Sequence, residues 1–333
     1  MSNSTVSLVI PGRNCAATLR PCLDAVTAIA AQPESPLAEI LFVDDGSTDD
    51  TADIADSYEH VTRVEGEGKG PGHARNLGWR RASQPLVWFV DADCVAEPDA
   101  LALLLPHLED GAHGGVSGSY GNMRPDSLLA CLIHEEIIDR HRRMQADVDF
   151  LATFNVLYRR NVLEDVQGFD TRYLKGQDAE LSFRVMDAGH KLRFEPRSLV
   201  GHFHEHRWLG YFRTQRQQGY WRVWLHLSHR GHSTGDSYSS LLDHVQPPLA
   251  MLILASLPLL AFPPLYWITV ALSALLAFAQ VPLTFRIIAH TKHPKYIMFG
   301  AMSFLRAFWR GIGMSLGTLH YLLRKDARTP RTT

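Results

Sequence analysis

Short apolar runs alternate with longer amphipathic segments over the first two hundred residues of the chain. Runs such as SLVIP at 7–11 and VWFV at 87–90 have the length and composition of strands that are covered on both faces. The alternation predicts an α/β fold with a mixed, mostly parallel sheet flanked by helices. The predicted elements are strands at 7–11, 39–47, 60–66 and 85–93, and helices at 16–31, 48–58 (capped by Ser47 or Thr48) and 72–82.

A different pattern begins after Asp243. Residues 244–285 contain no charged side chain, and two apolar runs within them, 249–262 and 265–283, are separated by two prolines. The second run has about the 20 residues that a bilayer-spanning helix needs, and the first approaches this length if 245–248 join it. The pattern therefore predicts two transmembrane helices within 245–288. A buried helical hairpin is the alternative.

The segment 296–324 has one polar helical face. Between 297 and 323 the less apolar positions recur every three or four residues, which is the period of a helix. These positions are Ser303, Arg306, Arg310, Gly313, Gly317 and His320. Arginines are costly in a spanning helix but not at headgroup level. We therefore predict an amphipathic helix that lies in the membrane interface with its arginines toward the headgroups. A third spanning helix is the alternative.

Composition and charge exclude several classes of function. The formal net charge is −2, so the sequence lacks the electrostatic signature of a nucleic-acid-binding protein. The four cysteines have no metal-ligand spacing, which favours a reduced compartment. The N-terminal segment has no basic region before its short apolar run, so we expect the first two hundred residues to stay in the cytosol. The positive-inside rule then places the tail 325–333 on the same side.

Polar groups follow three of the predicted strands. Asp91 and Asp93 come directly after the apolar run 87–90, and their side chains would share a face if the strand continued through them. Two like charges this close need a cation or strong donors between them, so we interpret the pair as a site for a divalent metal that carries a phosphate. An Asx turn that closes the strand is the alternative. The segments 10–14 and 43–47 end their strands in the same way, which indicates one shared crevice.

These segments resemble those of family 2 glycosyltransferases with the GT-A fold. The resemblance extends from about residue 6 to residue 196, in the family's order and spacing, and the apolar C-terminal helices resemble those of membrane-bound members. The segments that carry it are VDDGSTDDT at 43–51 (second strand), GKGPGHARNLG at 68–78 (glycine-rich approach to the third helix), VDADC at 90–94 (DxD motif), and the acceptor-side segments 153–170 and 176–196.

The resemblance implies a nucleotide-sugar site and a metal site. The residues expected to bind the nucleotide sugar are Pro11, Arg13, Asn14, Asp44, Asp45, Gly70, Arg75, Asp91 and Asp93. Mn²⁺ or Mg²⁺ would be held by Asp93, with Asp91 as a further ligand or a ribose-binding group. The histidines of HFHEH at 202–206 alternate, and His202 or His204 would complete the metal shell or touch the diphosphate. Solvated interfacial histidines are the alternative.

The resemblance also implies a catalytic base. Asp178 would remove the proton of an acceptor hydroxyl in an inverting transfer. The family commonly has Glu-Asp at this motif, whereas Gln177 precedes Asp178 here. Glu180 is the second candidate, and a carboxylate that complements a helix N-terminus is the structural alternative. The segment 216–224 resembles, in position, the QxxRW segment of processive relatives. The residues expected on the acceptor or diphosphate side are Asn155, Gln177, Gln218, Trp221 and Arg222.

The resemblance and the membrane pattern together imply a domain organisation and a function. A catalytic domain at 1–235, with a nucleotide-sugar half at 1–122 and an acceptor half at 123–235, would precede the membrane helices. We expect inverting, metal-dependent transfer from a nucleotide sugar, preferably a UDP-sugar, to a hydroxyl of a lipid or lipid-linked glycan at the cytosolic face of the cell membrane. The alternatives are a polyprenyl-phosphate glycosyltransferase and a non-catalytic nucleotide-sugar-binding membrane subunit.

Overall fold

Two compact units make up the chain. The computed structural model describes residues 5–109, 111–229, 237–238 and 240–323. Of these, 5–123 and 144–203 form a first unit, which we call the sheet unit. Residues 124–143 and 204–323 form a second, which we call the helical unit. The catalytic domain predicted at 1–235 therefore takes residues from both units.

A nine-stranded mixed sheet forms the centre of the sheet unit, as predicted. The strands are β1 (Val6–Gly12), β2 (Leu37–Asp44), β3 (Thr62–Glu65), β4 (Leu86–Val90), β5 (Cys94–Ala96), β6 (His113–Asn122), β7 (Asp147–Val148), β8 (Asn155–Arg159) and β9 (Lys191–His202). Their order is β3-β2-β1-β4-β8-β6-β9-β5, with β7 paired to β9. The first four strands are parallel, β8 is antiparallel to β4 and β6, and β5 and β7 are antiparallel to β9.

Helices cover the sheet and make up most of the helical unit. The helices are α1 (Ala16–Ala30), α2 (Thr51–Asp56), α3 (Pro71–Arg81), α4 (Ala100–Leu104), α5 (Leu128–His141), α6 (Arg160–Asp165), α7 (Gln177–Asp187), α8 (Trp208–Ser228), α9 (Leu241–Ser256), α10 (Tyr266–Phe278), α11 (Val281–Thr291) and α12 (Met298–Leu323). Short 3-10 helices occupy Leu105–Leu108, Leu257–Ala261 and Pro294–Ile297.

Strand β4 is covered on both faces, as its apolar composition predicts. Trp88 and Val90 belong to a core cluster that includes apolar side chains of α1, whereas Val87 and Phe89 belong to a second cluster with side chains of α3 and α7. All five residues of β4 are buried. The parallel strands thus form a rigid support whose carboxyl ends can carry polar groups.

Three predicted boundaries are wrong. The second predicted strand ends at Asp44 and not at residue 47. The helix predicted from residue 48 begins at Thr51, after a loop in which Thr48 N donates to Asn14 and Ser47 N donates to Asp44. The strand predicted to reach residue 93 ends at Val90, and a turn follows in which Cys94 N donates to the carbonyl of Asp91 at 2.9 Å.

Two stretches of the helical unit are long and apolar enough to cross a membrane, Leu241–Ala261 and Tyr266–Thr291. Only 28% and 17% of their apolar windows are buried within the chain. This exposure is opposite to what a buried helical hairpin would show, because such a hairpin would cover most of its apolar surface.

The polar face predicted on α12 packs against α8. Gly317 lies so close that an added methyl group would stand 2.8 Å from the carbonyl oxygen of Tyr220, and one at Gly313 would collide with the carbonyl of Arg216. The expectation that Arg306 faces lipid headgroups is wrong, because its guanidinium is buried and ion-paired with Glu136. The position of α12 relative to a membrane stays a prediction.

A buried ion cluster joins α5, α9 and α12 within the helical unit. Arg140 pairs with Glu136 at 2.7 Å and with Asp243 at 2.8 Å, and Arg306 pairs with the second oxygen of Glu136. Arg310 lies 3.4 Å from Asp243. Burial alone would raise the pKa of Glu136, but Arg306 and Arg140 lower this pKa to about 2. We refer to these five side chains as the buried ion cluster.

Candidate active site

The carboxyl ends of β1, β2 and β4 meet at one edge of the sheet. Gly12 pairs with Asp44 in the β1–β2 ladder, and Asp45 N donates to the carbonyl of Gly12 at 2.8 Å. On the other side of β1, Val9 pairs with Phe89 of β4. The three polar segments that follow these strands therefore emerge side by side, as the sequence predicts for parallel strands.

Asp45 fixes the glycine-rich loop that leads into α3. Its carboxylate is buried and accepts hydrogen bonds from Lys69 N at 3.1 Å and Gly70 N at 2.7 Å. Gly70 has a φ of 97°, a conformation that side chains with a Cβ disfavour. A side chain that follows the neighbouring strand thus holds the backbone of the loop.

Asp44 and Asn14 connect the first two polar segments. Asp44 accepts from Ser47 N at 2.9 Å, and Asn14 accepts from Thr48 N at 2.8 Å. Arg13 is exposed beside them, whereas Pro11 is buried within β1. In this structure the carboxylates of Asp44 and Asp45 bind loop backbone, so their predicted contact with a nucleotide base stays a prediction.

Arg75 and Asp91 form a close ion pair. The Nη2 atom of Arg75 lies 2.6 Å from Oδ1 of Asp91, and the guanidinium lies 5.7 Å from the ring centre of Phe169. The Nε atom of Arg75 is buried and has no hydrogen-bond partner in the described part of the chain. Burial, together with the charge of Asp93, raises the pKa of Asp91, although Arg75 opposes this rise. The Nε–H is available to an oxygen acceptor of a bound ligand.

Asp93 lies beside His202. Because the strand ends at Val90, the two aspartates do not extend it together, and they meet different partners. His202 Nε2 lies 3.3 Å from Asp93 Oδ2, and the backbone of β5 and β9 holds this contact, since Cys94 pairs with His202 in the ladder. One ligand atom each from Asp93, Cys94 and His202 lies within 4.8 Å of the others.

The donor set of this group suits a divalent cation. Asp93 is partly exposed and offers a carboxylate oxygen, and His202 offers an imidazole nitrogen. Burial and the nearby Asp93 and Asp91 raise the pKa of the Cys94 thiol well above its usual range. The sequence analysis did not single out Cys94 as a site residue, although the residue directly follows Asp93.

Asp178 lies at the N-terminus of α7 in the environment of a base. Burial raises the pKa of its carboxyl, and the charge of Asp91 adds to this rise, while the Ala179 N–H and Arg75 oppose it. The preceding Gln177 is buried, and its Oε1 has no hydrogen-bond partner among the described residues. Glu180 is unsuited as the second candidate, because both of its oxygens bind Arg184 at 2.6 Å.

The placement of Asn155 on the acceptor side is wrong. Asn155 is fully buried in β8, where its Oδ1 accepts from Trp88 Nε1 at 2.9 Å and its Nδ2 donates to Ser198 Oγ at 3.0 Å. Both ends of the amide are used within the core of the sheet unit. The residue stabilises the pairing of β4 with its neighbours.

The remaining predicted residues belong to the helical unit. His204 is buried with its Nε2 3.4 Å from His134 Nδ1, and the metal-ligand group described above does not include it. Trp221 is buried in α8. Gln218 and Arg222 line a cavity between helices of this unit.

The fold and the arrangement of the site are those of the GT-A type. This type combines a mixed α/β sheet with a D-x-D turn and a glycine-rich loop at the carboxyl ends of its parallel strands, and the chain has each of these features. Residues 7–167 match the model of glycosyl transferase family 2.

Known proteins resemble this chain over the sheet unit and beyond. The glycosyltransferase AglE of Haloferax volcanii is 32% identical over 57% of this chain and 64% of its own length. The pre-mycofactocin glycosyltransferase of Mycobacterium tuberculosis is 26% identical over 61% of this chain and 43% of its own length. The matched region is thus less than two thirds of either relative. The mannosyltransferase PcManGT from Pyrobaculum calidifontis, solved with GDP-Man and Mn²⁺, shares the fold with a TM-score of 0.59 and 20% identity, over 93% of this chain and 86% of that chain.

Proposed function

We propose that this chain transfers a sugar from a nucleotide sugar, preferably a UDP-sugar, to a hydroxyl group of a lipid or lipid-linked glycan, with inversion and with Mn²⁺ or Mg²⁺ as cofactor. The observation that carries the proposal is that the two aspartates of the D-x-D turn have different ion-pair partners. Asp91 is paired with Arg75, whereas Asp93 is paired with His202. One carboxylate is thus oriented by a fixed cation, and the other is available to a metal.

The donor would bind at the edge where the three strands end. The loop that Asp45 holds brings backbone N–H groups and the N-terminus of α3 to this edge. Arg75, in the same helix, adds a buried positive charge for the diphosphate. The orphaned Nε–H of Arg75 supports this role, because a phosphate or ribose oxygen would satisfy it.

Asp93 and His202 would hold the metal, with Asp91 as a further ligand or a partner of the ribose. When bound, a divalent cation would neutralise the negative charge that develops on the departing diphosphate. The mannosyltransferase PcManGT, which has a similar fold, was solved with GDP-Man and Mn²⁺. This similarity supports a nucleotide sugar and a cation of this type for the present chain.

Asp178 would accept the proton of the acceptor hydroxyl. A base works best when its pKa lies close to the operating pH, and burial moves the pKa of Asp178 in this direction. Displacement by a hydroxyl activated on the face opposite the leaving group inverts the configuration of the sugar. Arg75 and Asp91 are close enough to influence the charge of Asp178, which is consistent with a single reaction centre.

A membrane-bound acceptor is the simplest reason for the two apolar stretches at 241–261 and 266–291. A catalytic domain gains from a bilayer anchor mainly when one of its substrates lies in the bilayer. The proposed location is therefore the cytosolic face of the cell membrane, where nucleotide sugars are made.

The first test is nucleotide binding by the detergent-purified chain. We would measure the shift in melting temperature with UDP, GDP, CDP and dTDP, each with and without Mn²⁺, for the unmodified chain and for Asp93→Ala. We expect one nucleotide to stabilise the chain selectively, and only when the metal is present. At a ligand concentration near 100 times the Kd, the free energy of unfolding should rise by about 2.7 kcal/mol. Asp93→Ala should lose this stabilisation.

Asp165→Ala is the matched control, since Asp165 is an exposed carboxylate at the end of α6. It should respond to nucleotide and metal as the unmodified chain does. If no nucleotide stabilises a folded protein, the proposed nucleotide-sugar donor is wrong. A mild-acid-labile lipid product would instead indicate transfer to a polyprenyl phosphate.

A further inference from the structure

The helical unit contains a cavity of about 310 Å³ between α8, α9 and α12. Its wall combines an apolar part with a cationic part. The apolar part includes Val223, Leu227, Pro247 and Met314. The cationic part includes Arg222 and Arg310, and the wall also contains His226, His244 and the carboxylate of Asp243. This volume is at the lower end of the range of about 300–1,000 Å³ that small-molecule sites occupy.

The cationic wall is backed by an excess of buried positive charge. The buried ion cluster contains three arginines and two carboxylates. Arg140 and Arg306 take the shorter contacts with the carboxylates, whereas Arg310 has one carboxylate oxygen at 3.4 Å. The other two contacts of Arg310 are neutral amide oxygens, of Gln215 at 2.7 Å and of Gln218 at 3.3 Å.

The electrostatic environment of Arg310 agrees with this geometry. Burial and the neighbouring Arg306 lower the pKa of Arg310 to about 10. The guanidinium of Arg310 is partly buried, and an additional anion would stabilise it. Asp243, the carboxylate on the cavity wall, is already bound by both guanidinium nitrogens of Arg140 at 2.8 and 3.0 Å.

The apolar wall extends toward the stretch that can cross a membrane. Asp243 lies near the start of Leu241–Ala261, the uncharged part follows directly, and Pro247 contributes to the cavity. The transition from charged to apolar residues along a spanning helix falls at the level of lipid headgroups. A ligand that combines an anionic head with an apolar chain matches both parts of the wall.

We propose that this cavity binds a phospholipid of the bilayer with a net negative headgroup, with its phosphate on Arg222 and Arg310 and the beginning of its acyl chains on the apolar wall. Arginine is the side chain best suited to phosphate, since its planar donors match the phosphate oxygens. The lipid is a bound component of the helical unit and not the acceptor of the sugar. This site goes beyond the proposed glycosyl transfer.

The test is lipid binding by the full chain, purified in a neutral detergent and examined by native mass spectrometry. Equal concentrations of phosphatidylglycerol and phosphatidylcholine would be offered, with inorganic phosphate and a polyprenyl phosphate in separate samples. We expect phosphatidylglycerol to be retained in preference, and Arg222→Gln to reduce this retention about tenfold, the effect of one charge-assisted hydrogen bond. Arg222→Lys should keep part of the binding.

Arg213→Gln is the matched control, because it removes the same charge from an exposed position of α8 that does not line the cavity. It should retain phosphatidylglycerol as the unmodified chain does. Thr318→Trp, which fills the cavity without changing its charge, should also reduce retention. Equal loss in the two glutamine variants, or equal binding of both phospholipids, would overturn the proposal.

The remaining samples identify other occupants. If millimolar inorganic phosphate displaces phosphatidylglycerol, the cavity is a site for small anions. If the polyprenyl phosphate is retained selectively, the cavity is an acceptor site. Either result contradicts a bilayer phospholipid. No step of the test involves sugar transfer, so its outcome is independent of the proposed function.

Discussion

The pKa of the Asp178 carboxyl depends on its surroundings in the fold. It begins a helix, where a carboxylate commonly has only a stabilising role toward the helix dipole. Here burial and Asp91 raise its pKa, while the neighbouring Glu180 is neutralised by Arg184. Two acids in the first turn of one helix therefore have different properties. The difference arises from partners that are distant in the sequence.

The residue-scale prediction concerns the pH profile of transfer. Asp178 must be deprotonated to accept a proton, and its pKa is raised, so kcat should fall as the pH decreases through this pKa, above the usual value near 4. The decrease in kcat should fit the titration of a single group that binds one proton. The measurement is kcat against pH for the purified chain with a saturating nucleotide sugar and acceptor.

Asp178→Asn is the decisive variant for this profile. It should lose at least about a hundredfold in kcat, the effect typical of general-base catalysis, and still bind the nucleotide with metal. A fall in kcat could also arise if the donor no longer binds at low pH. Nucleotide binding is therefore measured at each pH as well. A kcat that is independent of pH down to 4 in a folded protein would contradict the assignment.

At the scale of elements, the pairing of α8 with α12 depends on small residues. Three glycines, Gly219 in α8 and Gly313 and Gly317 in α12, are approached by the backbone of the partner helix. The absence of side chains allows the two helices to approach closely, as small residues do in helix pairs of membrane proteins. The buried ion cluster and the cavity both lie along α12, so this close approach also positions them.

Gly313→Ala should destabilise the chain, because the added methyl group would collide with the carbonyl oxygen of Arg216. We expect a cost of about 1–3 kcal/mol from overpacking, against a gain of about 1 kcal/mol in helix propensity. Gly300→Ala is the matched control in the same helix, since the nearest atom to the added methyl is a side-chain hydroxyl at 3.3 Å. The melting temperature in detergent should decrease for Gly313→Ala and stay unchanged or rise for Gly300→Ala.

The elements of the sheet unit are predictable where their information is local. The apolar run of β4 and the polar ends of the first parallel strands follow from composition and period. The insertion of β8 between β4 and β6 does not, because it depends on pairing between segments about seventy residues apart. The end of β4 at Val90 was missed for a related reason. After Val90 the chain forms a turn, in which Asp91 pairs with Arg75 and Asp93 pairs with His202. The run of residues around β4 does not reveal either partner.

At the scale of the whole molecule, long-range ion pairs determine which charges are exposed. The sequence predicts the polar face of α12 correctly, but Arg306 meets Glu136 across 170 positions of the chain. Neither residue has a local pattern that identifies the other. The helical period therefore reveals that one face of α12 is more polar than the rest. Only the folded chain shows whether that face contacts lipid, water or protein.

The whole-molecule prediction is the topology of the two apolar stretches. If both cross the bilayer, the turn between them faces outward and residues after 291 face the cytosol. Phe262→Cys should therefore react with a membrane-impermeant maleimide in intact cells, whereas His293→Cys should react only after permeabilisation. The four native cysteines are buried or half-buried, so their background is low. Labelling of His293→Cys in intact cells would refute the topology.

The register between β5 and β9 limits how the sequence of this protein can diverge. Cys94 pairs with His202 in the ladder, and this pairing brings His202 to Asp93. Loops between the two strands can lengthen or shorten over generations without separating the two groups. A single residue added within β9, by contrast, would turn His202 to the opposite face of the sheet. The geometry of Asp93 and His202 therefore depends on the number of residues inside the strand and not on their spacing along the chain.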